Sequence, residues 1–191
     1  MNHKLRRLTE TAVMLALLIC LQWAGSFVPQ ALAKQLITGT CVNCVLAVTV
    51  LLVDMSGGVA VALVSPVCAF LLGIAPNLIT VVPIMVGNTC FVVLLRLLAG
   101  GAENASRRGP VAVAAAAVAK FCVLYGLVVW LICGVAADAL LGQKLGDAVL
   151  LAPPMLKALP TMFSWPQLVT ALAGGSIALF IMPVLRKALK R

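Results

Sequence analysis

Long uninterrupted apolar runs dominate this chain, and they leave one place for it to fold. Successive stretches centred near residues 18, 48, 66, 88, 123 and 173 are almost free of charge. A helix needs about 20 such residues to cross a hydrocarbon core of about 30 Å. In lipid every backbone N–H and C=O must be satisfied within the segment, so the runs are expected to be helices. Six spans use roughly 120 residues. The remainder suits ends and short loops, so we expect residues 1–191 to form one all-α membrane domain, a bundle of six transmembrane helices. Composition agrees: 63% of residues are hydrophobic and 10% charged, where a soluble domain is about half apolar and a quarter charged.

The expected spans follow the punctuation. Span one covers about Leu8 to Phe27, with Pro29 just beyond it. Gln30 to Thr40, containing Lys34 and Gln35, reads as a loop or a partly inserted segment. Span two covers about Cys41 to Val53, and is short unless it begins near Leu36. Residues 54–58 read as a tight turn. Span three covers Val59 to Ile74, with Pro66 freeing a backbone carbonyl inside it. Ala75-Pro76-Asn77 reads as a turn, span four covers Leu78 to Leu98, and Gly100 to Pro110, with Glu103, reads as a loop. Span five covers Val111 to Val135. Asp138 to Pro160, which includes Asp147, is the longest connection, with an amphipathic or half-inserted helix expected over Leu140 to Leu156. Span six covers Met162 to Val184. The first apolar run follows a basic start, as in a signal peptide, but no clear cleavage site precedes a polar domain, so it reads as a helix.

The net charge of +9 raises the question of nucleic acid, but the cations cluster at the ends of apolar runs. With the N-terminus inside, the cytoplasmic segments hold ten: Lys4, Arg6, Arg7, Arg96, Arg107, Arg108, Arg186, Lys187, Lys190 and Arg191. The outer segments hold three, Lys34, Lys144 and Lys157. That asymmetry is the positive-inside pattern, with both termini cytoplasmic and no nucleic-acid partner.

Few residues offer chemistry. Lys120 lies about nine positions into span five, where a charge costs a few kcal/mol. It reads either as an electrostatic partner for an anionic ligand or as a structural lysine, paired with a backbone carbonyl or snorkelling to the inner surface. Asn88, in span four, needs partners in lipid, from a ligand or from a neighbouring helix. Trp23, Trp130 and Trp165 suit an interfacial aromatic belt, or aromatic walls of an outer pocket together with Gln167, Asn77, Gln30 and Gln35. Cys41-Val42-Asn43-Cys44 has CxxC spacing, but a structural zinc site needs four ligands and the lone histidine is His3. No metal or other cofactor is therefore expected. There is no nucleotide-binding glycine loop and no nucleophilic or paired-carboxylate set, so the chain is not expected to be an enzyme. A lipid-modifying membrane enzyme and a purely structural assembly protein remain the competing readings. Ala12 and Ala16 give span one a small-x-x-x-small face that lets another helix approach closely.

Taken together the chain resembles the substrate-binding S component of an energy-coupling factor (ECF) transporter. The resemblance rests on the length, six expected spans, the basic start, Ala12 and Ala16 in the place of the family's AxxxA motif, and the last span "FSWPQLVTALAGGSIALFIMPVLRKAL". It implies a multi-pass protein of the bacterial plasma membrane that captures a vitamin-like or micronutrient solute from outside. It implies docking through Ala12 and Ala16 on a membrane scaffold subunit, which associates with two cytoplasmic ATPases, followed by toppling to release the solute. The implied pocket lies in the loop after span one and in spans four to six, where this sequence has Gln30, Lys34, Asn77, Asn88, Tyr125, Trp130, Trp165 and Gln167. Lys120 would sit deep for such a pocket. With it, the excess of basic residues suits a solute bearing a carboxylate or phosphate.

Overall fold

In the computed structural model, residues 3–74, 77–100, 104–146 and 148–189 are described. Ala75, Pro76, Glu103, Asp147, Lys190 and Arg191 lie outside them, so of the turn read at 75–77 only Asn77 is described, and it is extended. The described chain is helical apart from its connections and one small hairpin. The helices are α1 (His3–Ser26), α2 (Ala31–Leu52), α3 (Met55–Leu71), α4 (Val81–Ala99, entered through a 3-10 turn, Leu78–Thr80) and α5 (Ala105–Leu124). A π-helical stretch, Tyr125–Val135, continues α5. Next come α6 (Ala137–Leu140), β1 (Lys144–Leu145), β2 (Ala148–Val149), α7 (Pro153–Met162) and α8 (Trp165–Ala188).

Among the described residues five helical stretches are long and apolar enough to cross a membrane: α1, α2, Leu78–Ala99, Arg107–Val135 and α8. The sixth apolar helix, α3, has 17 residues, at the lower limit for a span.

Several boundaries differ from expectation, for local reasons. The segment expected as a loop at 30–40 is the first part of α2. Pro29 ends the preceding turn, and Leu32, Leu36 and Ile37 continue the apolar run without a breaker. Lys34 and Gln35 fall at the helix end, where a polar side chain can reach the cavity described below. The expected turn at 54–58 shrinks to Val53–Asp54, because Asp54 caps α3 by accepting a hydrogen bond from the Gly57 N–H at 2.6 Å. Gly57 and Gly58 are helical and serve close packing: a Cβ on Gly58 would come within 2.8 Å of the Val50 and Val92 side chains. Gly100, in the left-handed region (φ 71°), closes α4 by donating to the Arg96 carbonyl. The loop beyond it ends sooner than expected, since α5 begins at Ala105. The connection before α8 holds no single helix over 140–156. Gly142 and Gly146 take positive φ values of 74° and 62°, and the chain turns back as an antiparallel pair with Lys144 opposite Val149. Only then does α7 start, with proline in its first turn.

Helix α2 is the centre of the bundle. It packs against α1, α3, α4 and α8. Half of its most apolar stretch is buried within the protein, against 11% for α1. The main core joins Leu46, Val50 and Leu51 of α2 to Phe91, Val92 and Leu95 of α4, Ala116 of α5 and Ala178 of α8. A second, smaller core ties Leu124 and Val128 to Leu151, Leu159 and Phe163. It anchors the hairpin and α7 against α5.

The two ends of the bundle differ in charge. At one end Arg7 of α1 pairs with Asp54 at 3.2 Å, and the guanidinium of Arg96 reaches the Val50 and Leu51 carbonyls at the close of α2. Arg107 and Arg108 open α5 and Arg186 and Lys187 close α8 at this same end. Lys34, Lys144 and Lys157 belong to the segments at the opposite end.

Candidate functional site

A cavity of about 360 Å³ opens at the end opposite the basic clusters. The first turns of α2 contribute Ala31, Lys34, Gln35 and Thr38; α1 contributes Gln22; and the α7–α8 junction contributes Met162, Phe163 and Gln167. Pro66, Ala69, Ile74 and Ile84 complete a mainly apolar wall. The volume falls at the lower end of the range for small-molecule pockets. Local chemistry holds the rim together. Gln35 and Gln167 both donate from their side-chain amides to the Met162 carbonyl, Gln167 at 3.2 Å. That carbonyl is left free because the chain breaks from α7 into α8 there. Asn77 donates to the Leu150 carbonyl at 2.7 Å and to the Met155 sulfur at 2.8 Å, tying the hairpin and α7 to the start of α4. Two polar atoms beside the cavity, Gln22 Oε1 and Thr38 Oγ1, are shut off from solvent and lack a hydrogen-bond partner.

Deeper in the bundle lies a separate polar cluster. Lys120 is 3% exposed. Its ammonium donates to Asn43 Oδ1 at 2.6 Å and to Asn88 Oδ1 at 2.7 Å, and stands 5.6 Å from the Phe91 ring centroid. Asn43 in turn donates to the Gly39 carbonyl at 2.8 Å and to Thr170 Oγ1 at 3.4 Å. One lysine thus bridges α5 to α2 and α4, and Asn43 extends the network to α8. These bonds give Lys120 and Asn88 protein partners, and neither lines the cavity.

Of the residues anticipated from sequence, Lys34, Gln35 and Gln167 line the cavity. Asn77 is buried and acts as the tether just described. Gln30 is exposed beside α2's start. Trp23, Tyr125, Trp130 and Trp165 are exposed on the flanks, with Trp130 on a shallow apolar groove shared with Cys122 and Leu127. Sequence reading did not single out Gln22, Thr38, Asn43 or Thr170. The first two carry no pattern of their own. Asn43 does: it is a lone amide in an apolar run, hidden between two cysteines. Those cysteines are free thiols and face an apolar groove with Met14, Leu17 and Ile181. Ala12 and Ala16 are both exposed, on the outward face of α1.

A protein-family model described as the ECF transporter, substrate-specific component, matches residues 6–186. The chain belongs to that family. No curated protein and no solved structure matches. Membership makes this an S component, a substrate-binding subunit of a multi-pass membrane transporter and not a member of an enzyme family. The assembly in which an S component works includes a scaffold and ATPase module and a small-molecule substrate.

Proposed function

We propose that this S component captures a small, vitamin-like solute in the cavity framed by Gln22, Lys34, Gln35, Thr38 and Gln167. The observation that carries the reading is the position of that cavity. It opens at the end of the bundle opposite the basic clusters. Positive residues favour the cytoplasmic side, so the cavity faces outward and both termini lie inside the bacterial plasma membrane. Six crossings satisfy this orientation. Helix α3 completes the sixth, its 17 residues shielded by α1, α2 and α4, which pack around it.

Delivery then depends on partners. Helix α1 is the least buried of the long helices, and Ala12 and Ala16 leave its outer face low enough for a second helix to pack closely. We assign that face to the scaffold subunit, whose two cytoplasmic ATPases supply the energy. Surrounding lipid covers the remaining apolar flanks. Lys120 and Asn88 join helices and do not touch the solute.

Co-purification with the scaffold and ATPases tests the docking face. Replacing Ala12 and Ala16 by Trp is expected to abolish association while the isolated chain keeps its thermal stability, since both sites are exposed. Unchanged association of the double variant would refute the assignment.

A further inference from the structure

The chemistry of the cavity wall narrows what can occupy it. Lys34 is the one ionised side chain in the lining among the described residues. Among the described residues its ammonium has no ion-pair partner. It sits on the first turn of α2, whose N-cap residue, Gln30, makes no side-chain capping bond. Ala31, the first residue of that helix, also lines the cavity, so the positive end of the helix dipole lies at its edge. Among the described residues the lining offers no carboxylate to oppose the cation.

The other polar groups ask for something different. Gln22 Oε1 and Thr38 Oγ1 are sealed from solvent and so from a ligand, which leaves the two other glutamines. Gln35 and Gln167 spend an amide N–H each on the Met162 carbonyl, which turns their oxygens away from it. Those oxygens remain as acceptors on the cavity lining, and a ligand satisfies them with N–H or O–H groups. The rest of the wall is Pro66, Ala69, Ile74, Ile84, Met162 and Phe163, which suits an apolar body. Among the described residues the lining has none of the thiolates, imidazoles and carboxylates that hold transition metals.

We infer that the substrate class is a small organic monoanion, most simply a carboxylate, on a mainly apolar body carrying at least one N–H or O–H donor. Lys34 holds the anion; the amide oxygens of Gln35 and Gln167 receive the donor. The inference rests on the reading of this cavity as the solute site, and the test separates the two.

Matched probes on one ring report each requirement: 4-hydroxyphenylacetate, its methyl ester, 4-methoxyphenylacetate and tyramine. Octanoate represents a lipid-derived carboxylate without a donor, and Co²⁺ a metal cargo. Binding to the full chain in nanodiscs is read by saturation-transfer NMR and by thermal shift. The acid is expected to bind, with the ester and the methoxy analogue each weaker by about tenfold or more, and tyramine, octanoate and Co²⁺ weaker still. Lys34→Gln is expected to weaken the acid about ten- to hundredfold, the range for losing a charge-assisted bond, and to leave the ester unchanged.

Ala69→Phe fills the cavity, and Ala31→Trp does the same from the exposed rim without disturbing packing. Both are expected to abolish binding of every probe that binds the parent. If they do, and tyramine, octanoate or Co²⁺ proves the best ligand, the substrate class is overturned and the cavity reading stands. If binding persists in both filled variants, the cavity reading itself fails. Mass spectrometry of the extract from purified parent chain closes the remaining case. Silence of the whole panel, with no acidic small molecule in that extract, overturns the inference.

Discussion

Lys120→Met isolates the contribution of the buried polar cluster to the fold. The substitution keeps the length of the side chain and removes two donated hydrogen bonds, at 2.6 and 2.7 Å. In water-soluble proteins a bond involving a charged partner contributes about 1.5–3 kcal/mol, which sets a ceiling of about 6 kcal/mol for two. Within membranes side-chain bonds average about 0.6 and reach about 1.7 kcal/mol, because the inserted but unpacked chain also finds partners. Two bonds then contribute about 1–3 kcal/mol. Relief from burying a cation acts in the opposite direction, at about 2.5–3.5 kcal/mol on insertion scales. That cost is present before the helices pack as well as after, so most of it cancels. The expected outcome is a loss of about 1–3 kcal/mol in a reversible denaturant titration in bicelles. A second variant makes the reasoning strict. In Lys120→Met the Asn88 oxygen loses its partner, whereas Lys120→Met/Asn88→Leu removes the orphaned group too. The double variant is expected to recover about 1 kcal/mol of the loss. Parent-like stability of the single variant, or a double variant weaker than the single, would refute the account.

Three further outcomes follow from the packing. Gly174→Ala places a Cβ 2.5 Å from the Thr40 carbonyl oxygen and 2.7 Å from the Cys44 amide, so α8 must part from α2. The same titration is expected to show a loss of about 1–3 kcal/mol, and Gly126→Ala, with open space around it, much less. Asn77→Leu removes the bonds to Leu150 and Met155, and limited proteolysis between residues 141 and 151 is expected to quicken several-fold with little change in overall stability. Asp54→Ala loses both the α3 cap and the pair with Arg7, for a combined cost of about 1–2 kcal/mol by thermal melting.

The apolar runs made the long helices legible, because lipid leaves the backbone few alternatives. Boundaries were less legible where the cause is tertiary. Lys34 and Gln35 look like loop residues, yet they lie in the first turns of a helix that borders the cavity. Gly57 and Gly58 look like a turn, yet Asp54 caps the helix ahead of them and the glycines admit Val50 and Val92. The hairpin at 144–149 rests on two-residue strands, too short for any alternation to register. At the site, Lys34 and Gln167 were readable as polar residues near one face. The pairing of Lys120 with Asn43 and Asn88 was not, since it joins positions 77 and 32 residues apart and no local pattern records which helices become neighbours.

The central place of α2 has a mechanical consequence. At 22 residues it is a rod of about 33 Å, gripped along its length by four neighbours. Its outer tip carries Lys34, Gln35 and Thr38, and its inner tip ends under Arg96. On the reading proposed above, a solute seated against the first turns of α2 would load the same stiff strut that terminates beside Arg7 and Asp54. News of occupancy needs no chain of relayed contacts to cross the membrane, because a strut cannot tilt at one end alone.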